Sequence, residues 1–222
     1  PVPFLNMPAE ENPSLGVRGY RLLANHREFV EGQLKALELA REESGREVWV
    51  MAPMIATVDE AKTFSDLARS LGKYKVGIMI ETPSIALLVN QLAGVVDFVS
   101  VGTNDLSQYL FAADRMNPSL GALLNHWQPA LIKSLASIAK EAKQAGISSG
   151  VCGESASDPA FAILLAGLGF DSISVSRSQV DAVHNALSSL ELEDAQKVAQ
   201  DVLQARSAEQ AKATALREIG AR

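Results

Sequence analysis

The chain has 222 residues, 47% of them apolar, with 20 basic and 26 acidic side chains for a net charge of -6. That is enough apolar sequence to bury a substantial core, and the basic charge is nowhere concentrated into the face that a nucleic-acid binder needs. No apolar run approaches the ~20 residues of a membrane-spanning helix. The opening Pro1-Val2-Pro3-Phe4 has no signal-peptide pattern, and the single Cys152 excludes an internal disulfide, so a cytoplasmic protein is expected.

In chain order, residues 1–45 open as a proline-rich extended segment and then predict helices around 15–23 and 26–43. Val48-Trp49-Val50-Met51-Ala52 is the first of five short apolar runs that read as buried strands. A helix follows from Thr57, whose Glu60 three residues on makes a capping box, through Ala61, Phe64, Leu67 and Ala68. The second and third strands are Val76-Gly77-Ile78-Met79-Ile80 and Phe98-Val99-Ser100-Val101. A helix over 129–145 carries Leu131, Ile132, Leu135, Ile138 and Ala139 at helical spacing, and Ser149-Gly150-Val151-Cys152 is the fourth strand. Asp158 as N-cap and Pro159 at the first helical position open another helix, before a fifth strand at Ser172-Ile173-Ser174-Val175. Beyond Leu190, apolar Ala195, Val198, Ala199, Val202 and Leu203 recur at i, i+3, i+4, i+7 and i+8 and predict a C-terminal helix.

Strand and helix alternate, so the class is α/β with a parallel sheet, and no linker or repeat divides residues 1–222 into more than one domain. A closed (β/α)₈ barrel needs eight strands and roughly 250 residues. Five strands fit either an open doubly wound sheet or part of a barrel.

In parallel α/β structures ligands sit beyond the carboxyl ends of the strands. Those ends offer Glu81-Thr82-Pro83, Gly102-Thr103-Asn104-Asp105, Cys152-Gly153-Glu154 and Ser176-Arg177-Ser178. Glu81 and Asp105 suit a hard cation such as Mg²⁺, which takes one or two carboxylates and completes its shell with water and substrate oxygens. Arg18 and Arg115 suit bidentate capture of a phosphate or carboxylate. Taken singly, each residue also fits an ordinary role: Glu81 a turn residue, Asp105 a helix-capping turn, Cys152 a small buried hydrophobe, the arginines surface charges. One site explains them together. His26, His126 and His184 lack metal-ligand spacing and read as structural or exposed, and Met7, Met51, Met54 and Met79 as core filling.

Four segments, in order, resemble the phosphoenolpyruvate-utilising enzymes. They are Glu11-Asn12-Pro13-Ser14-Leu15-Gly16-Val17-Arg18-Gly19-Tyr20-Arg21, Ile80-Glu81-Thr82-Pro83, Val101-Gly102-Thr103-Asn104-Asp105-Leu106-Ser107-Gln108-Tyr109 and Gly150-Val151-Cys152-Gly153-Glu154. With Asp114-Arg115-Met116-Asn117 downstream, the wording looks most like enzyme I of the bacterial sugar phosphotransferase system, ahead of the dikinase and synthase branches.

The resemblance implies the last five of the eight strands of a TIM-type barrel, the C-terminal part of a phosphoenolpyruvate-binding domain cut at or near Pro1. It implies Glu81 and Asp105 as Mg²⁺ ligands, Asn104, Asp105, Arg115 and Arg18 around phosphoenolpyruvate or pyruvate, and Cys152 as proton donor to the enolate carbon. It further implies a homodimer, and a phosphocarrier protein as partner of the whole enzyme. Two further arginines and a phosphohistidine domain of the family have no counterpart in these 222 residues. The chain is therefore expected not to complete the reaction alone. A purely dimerising, non-catalytic fragment is the alternative in a different class.

Overall fold

The structure is a computed structural model that describes residue 5 and residues 7–221; the extended segment expected at residues 1–4 lies outside them. Five strands form one parallel sheet: β1 (Val48–Ala52), β2 (Tyr74–Ile80), β3 (Phe98–Gly102), β4 (Ser148–Cys152) and β5 (Ser172–Ile173). The spatial order is β1-β2-β3-β4-β5, each strand beside its sequence neighbour. A doubly wound sheet reverses direction at a switch point, and this order never does. It is the order of consecutive units in a TIM-type barrel.

The helices are α1 (Arg27–Ser44), α2 (Val58–Leu71), α3 (Pro83–Ala86), α4 (Thr103–Leu110), α5 (Pro129–Ala145), α6 (Pro159–Leu168), α7 (Val180–Ser188), α8 (Leu192–Val202) and α9 (Ala208–Gly220). Two expectations change in detail. The helix expected over 15–23 is a short 3₁₀ turn, Gly19–Ala24, because Gly19 takes φ 57° and breaks any longer run. The C-terminal helix is two helices: the stripe ends with α8, and Ser207 caps a new start by accepting from the Gln210 N–H at 3.2 Å.

Each strand sends alternate residues to a helix-covered face. On β2, Tyr74, Val76, Ile78 and Ile80 are buried there, in one core with Leu67, Leu131 and Leu135. The capping box of α2 forms as expected: the Glu60 N–H donates to Thr57 Oγ1 and the Thr57 N–H to Glu60 Oε2, both at 3.2 Å. Helix α6 is apolar nearly all round because the sheet lies on one side and α8 on the other. On the opposite face of the sheet, Trp49 of β1 meets Phe98 of β3 at 4.9 Å between ring centroids. Gly77 allows this, since a Cβ there would fall 2.5 Å from the Phe98 ring. Trp49 and Met51 stay 54% and 40% exposed, so Met51, unlike buried Met54, is not core filling.

Candidate active site

The candidate residues sit where the strands end. After β1 the chain turns through Pro53 and Met54, and Met54 takes φ 62°, a left-handed conformation that costs a non-glycine residue ~1 kcal/mol. What the turn provides is a backbone N–H aimed at β2: Met54 N donates to Glu81 Oε1 at 2.6 Å. Gly19 makes the matching approach. A Cβ there would lie 3.0 Å from both Met54 Cβ and the Pro53 carbonyl, and the Tyr20 N–H donates to that carbonyl at 2.9 Å. The residue before Gly19 is Arg18, which is how the N-terminal segment delivers a guanidinium to the strand ends.

Arg18 forms a two-pronged pair with Asp105 in the first turn of α4: Nη1 to Oδ1 and Nη2 to Oδ2, both at 3.3 Å. Nη1 also donates to the Tyr109 hydroxyl at 3.3 Å, one helical turn beyond Asp105, and that hydroxyl donates to the Ser14 carbonyl. Glu81 is 3% exposed. Burial pushes its carboxyl above the usual range and the Asp105 charge adds to the rise, against the opposing Met54 N–H and Arg18. Burial opposes the Arg18 charge, but Asp105 and Tyr109 outweigh it and hold the guanidinium more firmly protonated than usual.

This arrangement fits a hard divalent cation. Two carboxylates converge from adjacent strand ends, and one is buried at an energetic cost that a cation would relieve. Gly102 keeps the space open, because a Cβ there would fall 3.0 Å from Glu81 Oε2. Among the described residues no group of three or more His, Cys, Asp or Glu side chains forms a metal cage. Two carboxylates with substrate oxygens is the Mg²⁺ pattern rather than the Zn²⁺ one.

The remaining expected residues lie next door. Cys152, half-buried at the end of β4, donates its thiol to the Val101 carbonyl and accepts from the Ser100 hydroxyl, each at 3.4 Å. Its loop is tied to the start of α4. The Thr103 hydroxyl lies 3.2 Å from the Cys152 carbonyl and 2.7 Å from Ser155 Oγ, and Gly153 takes φ 117° to pass it. Asn104 and Arg115 line a neighbouring cavity of about 540 Å³ with Glu154 and His126. The Arg115 N–H donates to Gln108 Oε1 at 3.0 Å. Among the described residues no hydrogen bond or ion pair joins Cys152, Asn104 or Arg115 to Arg18, Glu81 or Asp105.

Sequence reasoning gave no role to Tyr109, Gln108 or the Met54 N–H. The first two lay within the motif; the third had no signal, since a backbone donor at a left-handed methionine leaves no mark in residue type.

A carboxylate pair with its guanidinium, at the carboxyl ends of barrel-ordered strands, lies where parallel α/β barrels place their substrate sites. The family profile "PEP-utilising enzyme, PEP-binding domain" matches residues 1–192, and the chain belongs to that family. Among curated proteins it is 43% identical to the phosphoenolpyruvate-protein phosphotransferase of Streptomyces coelicolor, over 97% of this chain and 39% of that protein. A phosphoenolpyruvate-protein phosphotransferase of Haloferax volcanii is 39% identical, over 92% of this chain and 39% of the relative. A multiphosphoryl transfer protein of Xanthomonas campestris is also 39% identical, over 96% and 26%. The chain thus spans about two fifths or less of the length of these relatives and is homologous to enzyme I over most of its own. No helix among the described residues is long and apolar enough to cross a membrane.

Proposed function

We propose that this chain carries the substrate site of a phosphoenolpyruvate–protein phosphotransferase of the enzyme I type. It binds phosphoenolpyruvate with Mg²⁺, in a cytoplasmic homodimer whose whole form passes the phosphoryl group to a histidine elsewhere and then to a phosphocarrier protein. The observation that carries the reading is the Glu81–Asp105–Arg18 cluster at adjacent strand ends.

Glu81 and Asp105 hold the Mg²⁺, which when bound supplies positive charge to the phosphate and enolate oxygens. Arg18, on the same carboxylate, turns its guanidinium to the substrate phosphate, and Arg115 and Asn104 orient the carboxylate end from the adjoining cavity. As the bond between the phosphorus and the enol oxygen breaks, the phosphoryl group leaves for the histidine and the electron pair stays on the enol oxygen. The Cys152 thiol then gives its proton to the methylene carbon, yielding pyruvate and a thiolate that recovers a proton from water. Two residues of α4 keep this machinery in register: Thr103 fixes the Cys152 loop and Tyr109 fixes Arg18.

Calorimetric titration with phosphoenolpyruvate, with and without Mg²⁺, tests the reading. Saturable binding that requires the metal is expected; no heat up to millimolar substrate contradicts it.

A further inference from the structure

Beyond the residues already assigned, two ionisable groups line the cavity that holds Arg115 and Asn104, the exposed Glu154 and His126. His126 lines it together with Thr103, Ser107 and Glu154. Its environment is built from three sides. Nε2 lies 3.1 Å from Asp158 Oδ2, its ring meets Phe161 edge-on at 4.9 Å, and Trp127 packs beside it at 5.8 Å between centroids.

Asp158 is itself fixed. The same Oδ2 accepts from the Trp127 indole N–H at 3.2 Å, while Oδ1 accepts from the Ala160 and Phe161 N–H groups at 3.0 and 3.4 Å as the cap of α6. Burial works against its charge, but the donors from His126, Trp127 and Ala160 overcome that and hold the carboxyl down at about 2. Asp158 is therefore an anion throughout the neutral range. It lies on the loop that follows Cys152, and His126 on the excursion that carries Arg115, so their bond joins the two loops.

We infer that His126 is an anion-binding residue of this cavity, positioned by Asp158, and that it ties substrate affinity to proton concentration. The inference rests on the reading of the site proposed above. A permanently ionised Asp158 fixes the neutral ring as its Nε2–H form, which leaves Nδ1 an acceptor with nothing to offer an anion. Protonation turns the ring into a cation with a second donor, while Asp158 balances the charge from behind. The other charged groups on the cavity are Arg115 and the exposed Glu154. Packing against His126 comes from Phe161 of α6 and from Trp127, two residues before α5, which carry no charge.

The test uses oxalate, a planar dianion of the size of the substrate's carboxylate end. It does not titrate between pH 6 and pH 8, unlike a phosphate. Its affinity is measured calorimetrically in the presence of Mg²⁺ at about pH 6 and about pH 8. The wild-type chain is expected to bind roughly 3- to 10-fold tighter at the lower pH and to take up a proton, seen as a dependence of the heat on the buffer's ionisation enthalpy. His126→Gln keeps a donor toward Asp158 and should bind equally at both values, near the wild-type pH 8 affinity. Asp158→Asn should show a reduced pH dependence at similar pH 8 affinity, and thermal unfolding establishes that both variants are folded. If His126→Gln keeps the wild-type pH profile, or the wild type shows none, the inference is overturned while the site reading stands. If no form binds oxalate at either pH, both fall together.

Discussion

Asp158→Asn also isolates a quantity that the structure fixes independently of substrate. Asparagine keeps the oxygen that caps α6 but puts an NH2 group where Oδ2 accepts from Trp127 and faces His126, so it mimics the protonated acid and removes the charge together with that acceptor. The folded carboxyl lies at about 2 against a usual 3.8, a difference worth about 2.5 kcal/mol if fully realised. The side chain is 22% exposed, and solvent screening lowers the expectation to about 1–2 kcal/mol. The sign follows from the depressed value. The stabilisation is complete above the unfolded pKa and disappears as pH falls through the folded one. Urea unfolding, followed by the fluorescence of buried Trp127, should find Asp158→Asn less stable than wild type by about 1–2 kcal/mol near pH 5. The two should converge near pH 2. A gap independent of pH, or no gap at pH 5, would refute the charge-based account of this latch.

Arg18→Met frees both Asp105 oxygens, so Mn²⁺ should bind several-fold tighter without substrate while phosphoenolpyruvate affinity falls at least tenfold; electron spin resonance of free Mn²⁺ reads the first and calorimetry the second. Cys152→Ala should leave oxalate binding within about twofold of wild type while suppressing Mg²⁺-dependent exchange of the pyruvate methyl protons into deuterium oxide, followed by proton NMR; equal loss of both counts against a proton-donor role. Gly167→Ala places a Cβ 2.0 Å from the Ala195 carbonyl, where α6 and α8 touch. It should cost about 1–3 kcal/mol of stability in thermal unfolding, and a neutral result would mean that the two helices pack less closely.

Much of the fold was legible because apolar periodicity and caps are local signals. The five strands, the Thr57–Glu60 box and the Asp158-Pro159 start all appear where residue type places them. The choice between open sheet and partial barrel was not local: it depends on which strand lies beside which, and only the pairing order decides it. The break between α8 and α9 was hidden because small residues such as Ala205 and Ala208 continue the composition of a helix through a turn. In the site, Glu81, Asp105 and Arg18 were identifiable by type and come together in space. His126 was read as structural or exposed, since nothing in residue order links it to Asp158, 32 positions away. Met54 was read as filler, yet its backbone supplies the donor that holds Glu81.

The central claim is that a metal held by Glu81 and Asp105 sits against the phosphate of bound phosphoenolpyruvate. Phosphorus NMR of phosphoenolpyruvate with Mn²⁺ in place of Mg²⁺ tests it most directly, because the paramagnetic ion broadens only nearby nuclei. Broadening beyond that given by free Mn²⁺, saturable by oxalate and lost in a Glu81→Gln, Asp105→Asn double variant, is the predicted result. Broadening that persists unchanged in the double variant, or none in the wild type, would contradict the account.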